Sequence, residues 1–541
     1  MRLNRFRSGS CTRIAANKTP LPRKWLLSLV LAMMAATPLM AGSSDWPMFG
    51  QSTANTGNNA AETTISNKNA YQLKTKWTFT TGGDVSARAA VANKVAYFPD
   101  WGGNIWAVNA GSGKLIWSHQ LSDYGLPANT HSRTTPAVVA NTMYLGTQEG
   151  AWLLAINAST GALLWKTELE TVDVFAIVTV SPVVYNGVVY TGVASTQEAT
   201  AAFIPGFVCC DSRGSVVAVD ASTGAIKWKT YTVPTGYSGG GVWGSNPVVD
   251  AARNTVFVGT GNNYSKPTDP AYLSCISGGG LETNCLSPDD HVDSILALDM
   301  TSGSIKWASR LVTWNQNQYG VTDGSDDWNV ACFIPPFTNC PAAPTGPDYD
   351  FGSAPNEITY QSASGPKTII GAGQKSGIYY ALDPDSGATL WSTQVGPGSS
   401  LGGMEWGSAS DGSRIYVAIA NFYGIPYAFG SAGSWAALDP ATGAILWQVA
   451  DPNGSVDIGP MAVANGVVYA SSMGSATKAP TMLALDASTG STVWSFAAGS
   501  SVNCGATIVN GVVYWGSGYA HLGIPGYTGN NKFYAFSKNG N

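Results

Sequence analysis

The residues whose types and spacing could do chemistry are first of all the cysteines. The chain has eight, and Cys11 lies apart from the others in a basic N-terminal stretch. Cys209 and Cys210 are adjacent, so they could form a flat disulfide, although two thiols or bonds to other cysteines are alternatives. Cys504 is left over and is expected to be a buried thiol. Two further pairs are close enough in sequence to close loops, Cys275 with Cys285 and Cys332 with Cys340.

Other familiar arrangements of reactive residues do not stand out. No Cys-x-x-Cys-His segment would attach a haem. No Ser-His-Asp order, phosphate-binding loop or dinucleotide-binding glycine motif is evident. No cluster of Lys and Arg follows residue 24, which argues against a nucleic-acid binder. The histidines have no metal-ligand spacing; they are His119, His131, His291 and His521.

The elements that must position a site are set by one repeat, Ala-x-Asn/Asp-x-x-Ser/Thr-Gly-x-x-x-Trp. The Asn or Asp is suited to capping a turn, and the Gly to a positive φ. The Trp follows in the next strand, where it can bury a large surface against a neighbouring unit. The copies are Ala107–Trp117, Ala155–Trp165, Ala218–Trp228, Ala297–Trp307, Ala381–Trp391, Ala437–Trp447 and Ala484–Trp494.

A hairpin precedes each copy of the repeat, and an eighth hairpin lies near residues 507–514. Pro182–Tyr190, with its central Asn-Gly, is an example. The last unit ends before a Trp, and the missing strand is available at Leu73–Phe79. We therefore predict an all-β fold, an eight-bladed β-propeller whose N-terminal strand closes the last blade. A solenoid or two separate β domains are alternatives, but the split last unit argues against both.

Three long loops interrupt the regular spacing of the blades. They span 199–212, 263–292 and 311–350, and they contain six of the seven cysteines that follow Cys11. Long loops on one face of a rigid scaffold usually carry function, so we expect the site near them.

The N-terminus has the composition of a secretory signal. Residues 1–24 carry seven Lys and Arg and no acid, and an apolar run from Trp25 to Met40 follows. We predict cleavage near Ala41, a single mature propeller over 42–541 and a periplasmic or secreted location. A membrane anchor is the alternative, but the run is short for a span. Without residues 1–41 the chain keeps all 33 acids and is acidic overall.

The Ala-x-Asp-x-x-Thr-Gly-x-x-x-Trp repeat resembles the docking motif of the eight-bladed quinoprotein alcohol dehydrogenases, which bind pyrroloquinoline quinone (PQQ) and calcium on the propeller axis. The resemblance extends over nearly all of the mature chain, including Trp46–Gly50. A scaffold lipoprotein of outer-membrane assembly shares this fold without a quinone, so function has to be argued from the site.

More specific segments match the family's site in chain order, among them Thr179-Val-Ser-Pro182, Ser195-Thr-Gln-Glu198, Gly241-Val-Trp243-Gly244 and Gly259-Thr-Gly-Asn262. The resemblance implies that Lys375 lies beside the reactive carbonyls and that Trp243 forms the floor under the ring. It implies Asp348 as the base that takes the hydroxyl proton while hydride moves to the quinone. The implied contacts are Arg133, Thr179, Ser195, Trp243 and Lys375, with Cys209 and Cys210, for PQQ, and Glu198, Asn262 and Asp348 for calcium.

Each of these residues also has a structural reading. The three oxygen ligands could be turn caps or solvated acids, Lys375 an exposed lysine at a strand end, and Trp243 ordinary blade packing. Calcium prefers several hard oxygen ligands, and three different blades would supply them at a propeller axis. That convergence favours the metal site.

Two departures from the family pattern affect the site. The adjacent Cys pair normally precedes the arginine, whereas Cys209-Cys210 lies in the next blade's loop, so it either folds over the quinone from another direction or does not touch it. Pro347 stands where the family has Trp before the catalytic Asp, which leaves Asp350 as a rival base. Together with the inserted loops, these features look most like the polyvinyl-alcohol dehydrogenase branch.

These observations predict a periplasmic PQQ- and calcium-dependent alcohol dehydrogenase. Low charge and large loops suit an uncharged, bulky or polymeric secondary alcohol, and the absent haem motif implies a separate electron carrier such as cytochrome c. A non-catalytic envelope scaffold and a carbohydrate-binding propeller are the alternative functions.

Overall fold

The computed structural model describes residues 44–244, 246–280, 282–311, 348–476 and 478–541. The predicted signal peptide, most of the loop 311–350 and the predicted Cys332–Cys340 disulfide lie outside the described residues. No helix in the described part is long and apolar enough to cross a membrane.

The described residues form eight antiparallel sheets, one per blade, as the sequence predicts. The first strand of the chain, β1 (Leu73–Thr80), belongs to the last blade. Blade 1 follows with β2 (Ala90–Ala92), β3 (Val95–Pro99), β4 (Asn104–Asn109) and β5 (Leu115–Gln120). Blade 2 has β6 (Ala137–Val139), β7 (Thr142–Gly146), β8 (Trp152–Asn157) and β9 (Leu163–Glu168). Blade 3 has β10 (Ala176–Ile177), β11 (Val183–Tyr185), β12 (Val188–Ser195), β13 (Ser215–Asp220) and β14 (Ile226–Tyr231). Blade 4 has β15 (Val248–Asp250), β16 (Thr255–Gly259), β17 (Ser294–Asp299) and β18 (Ile305–Arg310).

The second half of the ring repeats this order. A short strand, β19 (Ser353–Ala354), precedes blade 5, which has β20 (Asn356–Ser362), β21 (Gly365–Gly373), β22 (Ile378–Leu382) and β23 (Thr389–Gln394). After β24 (Trp406–Gly407), which pairs with β19, blade 6 has β25 (Ala409–Ser410), β26 (Ile415–Ile419), β27 (Ser434–Leu438) and β28 (Ile445–Ala450). Blade 7 has β29 (Ala462–Ala464), β30 (Val467–Ser471), β31 (Met482–Asp486) and β32 (Thr492–Phe496). Blade 8 has β33 (Thr507–Val509), β34 (Val512–Gly516) and β35 (Lys532–Lys538), and β1 completes it.

The helices of the described residues lie in or at the start of the inserted loops. They are α1 (Gln197–Phe203), α2 (Pro270–Ser277) and α3 (Glu282–Cys285), with short 3-10 turns at Ala70–Gln72 and Leu121–Tyr124.

The tryptophans of the repeat join each blade to the next. The indole N–H of Trp117 donates to the carbonyl of Ala158 in the following blade at 2.8 Å. Trp77 of β1 donates in the same way to Ala110 of blade 1 at 3.1 Å, which closes the ring. The equivalent donors are Trp165, Trp228, Trp307, Trp391, Trp447 and Trp494. The predicted packing role of the repeat is confirmed.

The turn of the repeat also behaves as the sequence predicts. Asp220 accepts hydrogen bonds from the backbone N–H groups of Ser222 and Thr223, both at 3.0 Å, and their hydroxyls lower its pKa to about 2. Gly224 follows with φ 77°, and a Cβ there would lie 2.8 Å from the ring of Trp165 in the preceding blade. Glycine is therefore required twice, by the backbone and by the neighbouring indole.

The segment from Trp46 to Asn59 runs along the innermost strands of the ring. Backbone hydrogen bonds join it to six blades, for example Val138 N–H to Pro47 O at 2.8 Å and Ser410 N–H to Thr56 O at 2.8 Å. Asn59 Nδ2 reaches Ile508 O of blade 8 at 2.7 Å. This segment thus links blades that are not neighbours in the sequence.

A fully buried guanidinium lies beneath this segment. Arg88 donates to the carbonyl oxygens of Phe49 at 2.6 Å and Met461 at 2.8 Å. Its Cζ lies 5.1 Å from the centroid of the Trp46 ring. Burial lowers the pKa of Arg88 to about 10, so the side chain remains charged at neutral pH.

Candidate active site

Two sets of loops emerge at the same end of the ring because the strands of each blade are antiparallel. One set joins the second strand of a blade to the third, and the other leads from the outermost strand to the next blade. Asn262 and Lys375 lie on loops of the first set, and Arg133 and Trp243 on loops of the second. The fold therefore gathers at one end side chains that are far apart in the sequence.

A buried ammonium group lies between two carboxylates at this end. Lys375 Nζ donates to Asp348 Oδ1 at 3.0 Å and Oδ2 at 2.9 Å, and to Asp350 Oδ2 at 3.1 Å. The same Nζ lies 5.1 Å from the centroid of the Trp243 ring. All three charged side chains are buried, which excludes the interpretation of Lys375 as an exposed lysine at a strand end.

Asp350 connects three elements of this cluster. Its Oδ2 accepts from the indole N–H of Trp243 at 2.7 Å, and its Oδ1 from the backbone N–H of Asn262 at 2.8 Å. Its own carbonyl accepts from the backbone N–H of Lys375 at 3.0 Å. A Cβ at Gly261 would lie 3.2 Å from both Asp350 Oδ2 and Trp243 Nε1, so glycine allows this close approach. Asp350 therefore holds the indole, the loop of Asn262 and the ammonium group in fixed relation.

Two residues of the site have left-handed backbone conformations without being glycine. Asp348 has φ 58° and Trp406 has φ 59°. Such conformations are uncommon for these residue types and concentrate at functional sites, where the surrounding structure stabilises them. Their occurrence at both Asp348 and Trp406 agrees with a site in which side-chain direction is tightly set.

The cluster contains more carboxyl groups than cationic groups. Burial, and then the nearby Asp350, raise the pKa of Asp348 well above its usual value. Burial lowers the pKa of Lys375, but the facing carboxylates outweigh it, and its pKa is well above the usual value. Glu198 contributes to both shifts, and to the raised pKa of the buried Tyr264. The cluster therefore has an excess of carboxyl groups that a further cation would stabilise.

A second cationic group lies beside this cluster. The guanidinium carbon of Arg133 lies 3.9 Å from the centroid of the Trp406 ring, and Nη2 donates to the Tyr519 hydroxyl at 3.0 Å. The Trp406 ring is 5.6 Å from that of Trp243, with an interplanar angle of 83°. Among the residues that the structure describes, the buried indole N–H of Trp406 has no hydrogen-bond partner. Arg133 and Trp406 thus place a positive charge and a hydrogen-bond donor side by side.

Thr179 lies between the carboxylate cluster and the Arg133–Trp406 pair. Its hydroxyl donates to the carbonyl of Trp243 at 2.7 Å. It also lines, with Arg133 and Trp406, a cavity of about 20 Å³. Glu405, next to Trp406, is partly exposed; burial raises its pKa to about 7, while Lys375 and Arg133 oppose that rise.

Glu198 and Ser195 lie at the start of α1. Glu198 is in the first turn and acts electrostatically on Asp348 and Lys375. The Ser195 hydroxyl accepts from the backbone N–H of Gln197 at 3.1 Å and interacts with Asp173. Ser195 therefore orients the start of the helix that carries Glu198, and its predicted contact with PQQ stays a prediction.

The inserted loops contain two disulfides in the described residues. Cys209 and Cys210 are bonded to each other across a cis peptide bond, beside Ala201 and Ala202 of α1. The Cys210 carbonyl accepts from the Ser265 hydroxyl at 3.0 Å. The predicted Cys275–Cys285 bond is present, and Cys504 is a buried free thiol, so both expectations are confirmed.

The predicted calcium ligands lie around the same cluster, but no three His, Cys, Asp or Glu side chains are arranged as a metal site in the described residues. The predicted set differs from such a group because Asn262 supplies an amide. Asn262 is buried beside Asp350, while Glu198 and Asp348 interact electrostatically.

Sequence reasoning did not identify Tyr264 and Tyr519 as part of the site. Nothing in the local sequence marks either tyrosine. The Arg133–Tyr519 contact joins residues 386 positions apart, so only ring closure brings them together.

Solved structures with this architecture define the fold class. The quinohemoprotein alcohol dehydrogenase of Comamonas testosteroni superposes with a TM-score of 0.68 at 19% identity, covering 92% of this chain and 81% of that one. A europium-containing methanol dehydrogenase gives 0.67 at 16% identity, covering 92% and 98%. BamB of Moraxella catarrhalis gives 0.52 at 13%, covering 86% and 99%. The propeller is therefore the one used by these dehydrogenases.

The sequence relatives are more specific. A polyvinylalcohol dehydrogenase of Sphingopyxis sp. (strain 113P3) is 28% identical over 501 residues, 83% of this chain and 69% of that protein. The quinohemoprotein alcohol dehydrogenase of Comamonas testosteroni is 23% identical over 71% of this chain and 52% of its own length. A family model described as "Outer membrane protein assembly factor BamB" matches residues 61–212 and 431–541. The predicted resemblance is confirmed: over most of its length the chain is similar to proteins named polyvinylalcohol dehydrogenase and quinohemoprotein alcohol dehydrogenase.

Proposed function

We propose that this protein is a periplasmic PQQ- and calcium-dependent dehydrogenase that oxidises a secondary or polymeric alcohol, such as polyvinyl alcohol, and passes electrons to a separate cytochrome c. The observation that carries the proposal is the buried Lys375–Asp348–Asp350 cluster beside Trp243. It combines a fixed positive charge, a carboxyl group and a flat aromatic surface. The relatives named polyvinylalcohol dehydrogenase support the substrate class.

The residues present fit a planar anionic cofactor. PQQ carries carboxylate groups, for which the Arg133 guanidinium is a complementary partner. The indole N–H of Trp406, which has no partner in the described part of the chain, would donate to an acceptor on the same ligand. Thr179 and Trp243 complete this surface, with Ser195, Cys209 and Cys210 as the outer contacts implied by the family.

The residues present also fit a divalent cation. Several buried carboxyl groups face one ammonium group, and burial raises the pKa of Asp348 well above its usual value. A calcium ion held by Glu198, Asn262 and Asp348 would neutralise part of this charge with the oxygen ligands that it prefers. The apo-protein is then expected to gain stability when calcium binds.

When bound, PQQ would supply a hydride acceptor and calcium a Lewis acid. The chain's own residues do the rest. Asp348 takes the proton of the alcohol hydroxyl as hydride leaves the carbinol carbon. Lys375 provides a fixed positive charge for the oxyanion that develops. Asp350 holds Lys375, Trp243 and the loop of Asn262 in fixed positions relative to one another. Burial of the cluster limits the access of water to the reacting groups.

The decisive experiment is a binding titration of purified apo-protein with PQQ, followed by dye-linked oxidation of a series of alcohols. We expect binding in the presence of calcium and much weaker binding in excess chelator. Equal binding in chelator would contradict the calcium part. Arg133→Gln should weaken PQQ binding roughly 10–100-fold, since a charged hydrogen bond contributes about 1.5–3 kcal/mol. The matched control is Arg253→Gln, in the hairpin between β15 and β16, where Arg253 pairs with Asp250 and Asp385; this variant should leave binding unchanged.

A non-catalytic envelope scaffold is the second candidate, because the matching family model is described as an assembly factor. It predicts no PQQ binding under any metal condition and no alcohol oxidation. The same titration therefore distinguishes the two functions.

A further inference from the structure

A cleft separate from the carboxylate cluster opens at the same end of the propeller. It has a volume of about 300 Å³ and lies between the connection from β9 to β10 and the start of α1. That volume is at the lower end of ligand-binding pockets, which measure ~300–1,000 Å³.

The floor of the cleft is polar and is held in place by one buried amide. Gln197 Nε2 donates to Asp211 Oδ1 at 2.7 Å and to Asp173 Oδ1 at 3.3 Å. Gln197 Oε1 accepts from the backbone N–H groups of Asp211 at 2.9 Å and Ser212 at 3.1 Å. The carboxyl groups of Asp173 and Asp211 are thereby fixed as hydrogen-bond acceptors.

A buried polar atom of this floor has no hydrogen-bond partner among the described residues. It is Ser212 Oγ, whose side chain is 4% exposed. An unsatisfied buried hydroxyl costs free energy unless a ligand or water completes it. Ser212 Oγ is therefore available to a hydroxyl-bearing ligand in the cleft.

The lip of the cleft is apolar and unusually exposed. Val172 is 86% exposed and Val174 is 82% exposed, and Asp173 lies between them. Residues 171–175 form bends and a turn, closed by the Ala176 N–H, which donates to the Asp173 carbonyl at 3.1 Å, so the lip is a short projecting loop. A lip that combines apolar side chains with a carboxyl acceptor is suited to a chain that carries both methylene and hydroxyl groups.

The carboxyl groups of the cleft disfavour anionic ligands. Glu170 is paired with Lys229 and accepts from the Tyr231 hydroxyl. Arg213 stacks on the Tyr231 ring, with its guanidinium carbon 3.8 Å from the centroid. Within the described part of the chain no ion pair involves Asp173 or Asp211, which disfavours polyanions and is compatible with neutral polyhydroxy chains.

The cleft adjoins the proposed reaction centre through adjacent residues of one helix. Gln197 lines the cleft, and the next residue, Glu198, acts on Lys375 and Asp348. We propose that this cleft is a second subsite that holds a stretch of a neutral polyhydroxylated polymer while one of its hydroxyl groups reacts. This inference rests on the proposed function and adds how a polymer is selected over a small alcohol.

The test replaces both exposed valines, in the double variant Val172→Ser/Val174→Ser. Neither side chain is part of the core, so the fold is expected to be retained. With PQQ and calcium bound, kcat/KM for polyvinyl alcohol should fall roughly tenfold, which corresponds to the loss of about one buried valine contact. For a short secondary alcohol, kcat/KM should be unchanged. The matched control is Val208→Ser, which is 90% exposed on a neighbouring loop outside the cleft.

A second measurement does not depend on catalysis. Calorimetry of the full-length apo-protein with polyvinyl alcohol should detect binding that Val172→Ser/Val174→Ser weakens and Val208→Ser does not. Binding without any alcohol oxidation would refute the proposed function and leave the polymer subsite standing. An equal fall for polymer and small alcohol, or no change for either, would overturn the subsite. If Val172→Ser/Val174→Ser lost only cytochrome c reduction, the cleft would be assigned to a protein partner. If it lost only calcium binding, the cleft would be assigned to a cation. Either result would overturn the subsite.

Discussion

Asp348 and Asp350 lie two residues apart, yet their contacts predict different consequences of the same substitution. Asp348→Asn retains the size of the side chain and one oxygen that can accept from Lys375. It removes the group that takes the hydroxyl proton. Turnover should therefore fall about 10²–10⁴-fold, the usual contribution of a positioned general base, while the fold remains intact.

Asp350→Asn should act on stability and cofactor binding instead. The carboxylate of Asp350 accepts from Asn262 N–H on one oxygen, and from Trp243 Nε1 and Lys375 Nζ on the other. An amide has only one oxygen, so at least one of these donors would face an NH₂ group. Leaving one buried donor unsatisfied costs about 1–3 kcal/mol in the free energy of unfolding.

The assay compares both variants with the unmodified protein at saturating PQQ and calcium. Single-turnover absorbance changes report the chemical step, urea unfolding of the apo-proteins reports stability, and PQQ titration reports binding. Full turnover in Asp348→Asn together with loss of turnover in a stable Asp350→Asn would refute the reasoning and make Asp350 the base. Unchanged turnover in both variants would refute the assignment of this segment to proton transfer.

Three further outcomes are expected. Burial raises the pKa of Glu405 to about 7, so the folded apo-protein keeps a proton that the unfolded chain loses above its usual pKa of 4.5. The free energy of unfolding should therefore fall as the pH rises from 4.5 to about 7. The fall should be smaller in Glu405→Gln, which cannot titrate at this position. Glu357→Gln is the matched control, because the pKa of Glu357 is also raised to about 7 but this residue lies near Arg253. In thermal scans at several pH values, the effects of the two Gln substitutions on stability should add. Arg88→Met should lower the free energy of unfolding by about 2–4 kcal/mol in urea titrations, because the carbonyls of Phe49 and Met461 lose a charged donor; a change below about 0.5 kcal/mol would contradict the role assigned to this arginine. Burial raises the pKa of the Cys504 thiol to about 12, so thiol reagents should modify it only after unfolding, and rapid labelling of the native protein would contradict its burial.

The resemblance located several site residues before their geometry was known. Lys375, Trp243 and Asp348 do lie together. The sequence left open that Lys375 is an exposed lysine at a strand end, and only its burial between two carboxylates excludes this. Ser195 was expected to contact the quinone, and in the structure its hydroxyl supports the start of α1. A motif indicates which residues are present, whereas the direction of each side chain depends on neighbours supplied by other blades.

The eight-bladed ring could be predicted from the sequence because the residues that specify each blade are close together in the chain. Each repeat carries a capped turn, a glycine and a tryptophan within eleven residues, and the unpaired last unit requires Leu73–Phe79 to complete it. The Cys275–Cys285 disulfide is local in the same sense.

The tertiary structure alone decided which distant groups share an environment. Arg133 meets Tyr519 across 386 positions, Asp350 meets Trp243 across 107, and neither pairing has a local signature. The raised pKa of Asp348, the burial of the Trp406 indole N–H and the cleft at Gln197 all arise from this convergence. Closing a ring of blades brings loops of very different sequence position to one end, and both desolvation and Coulomb energy depend on distance in space rather than along the chain.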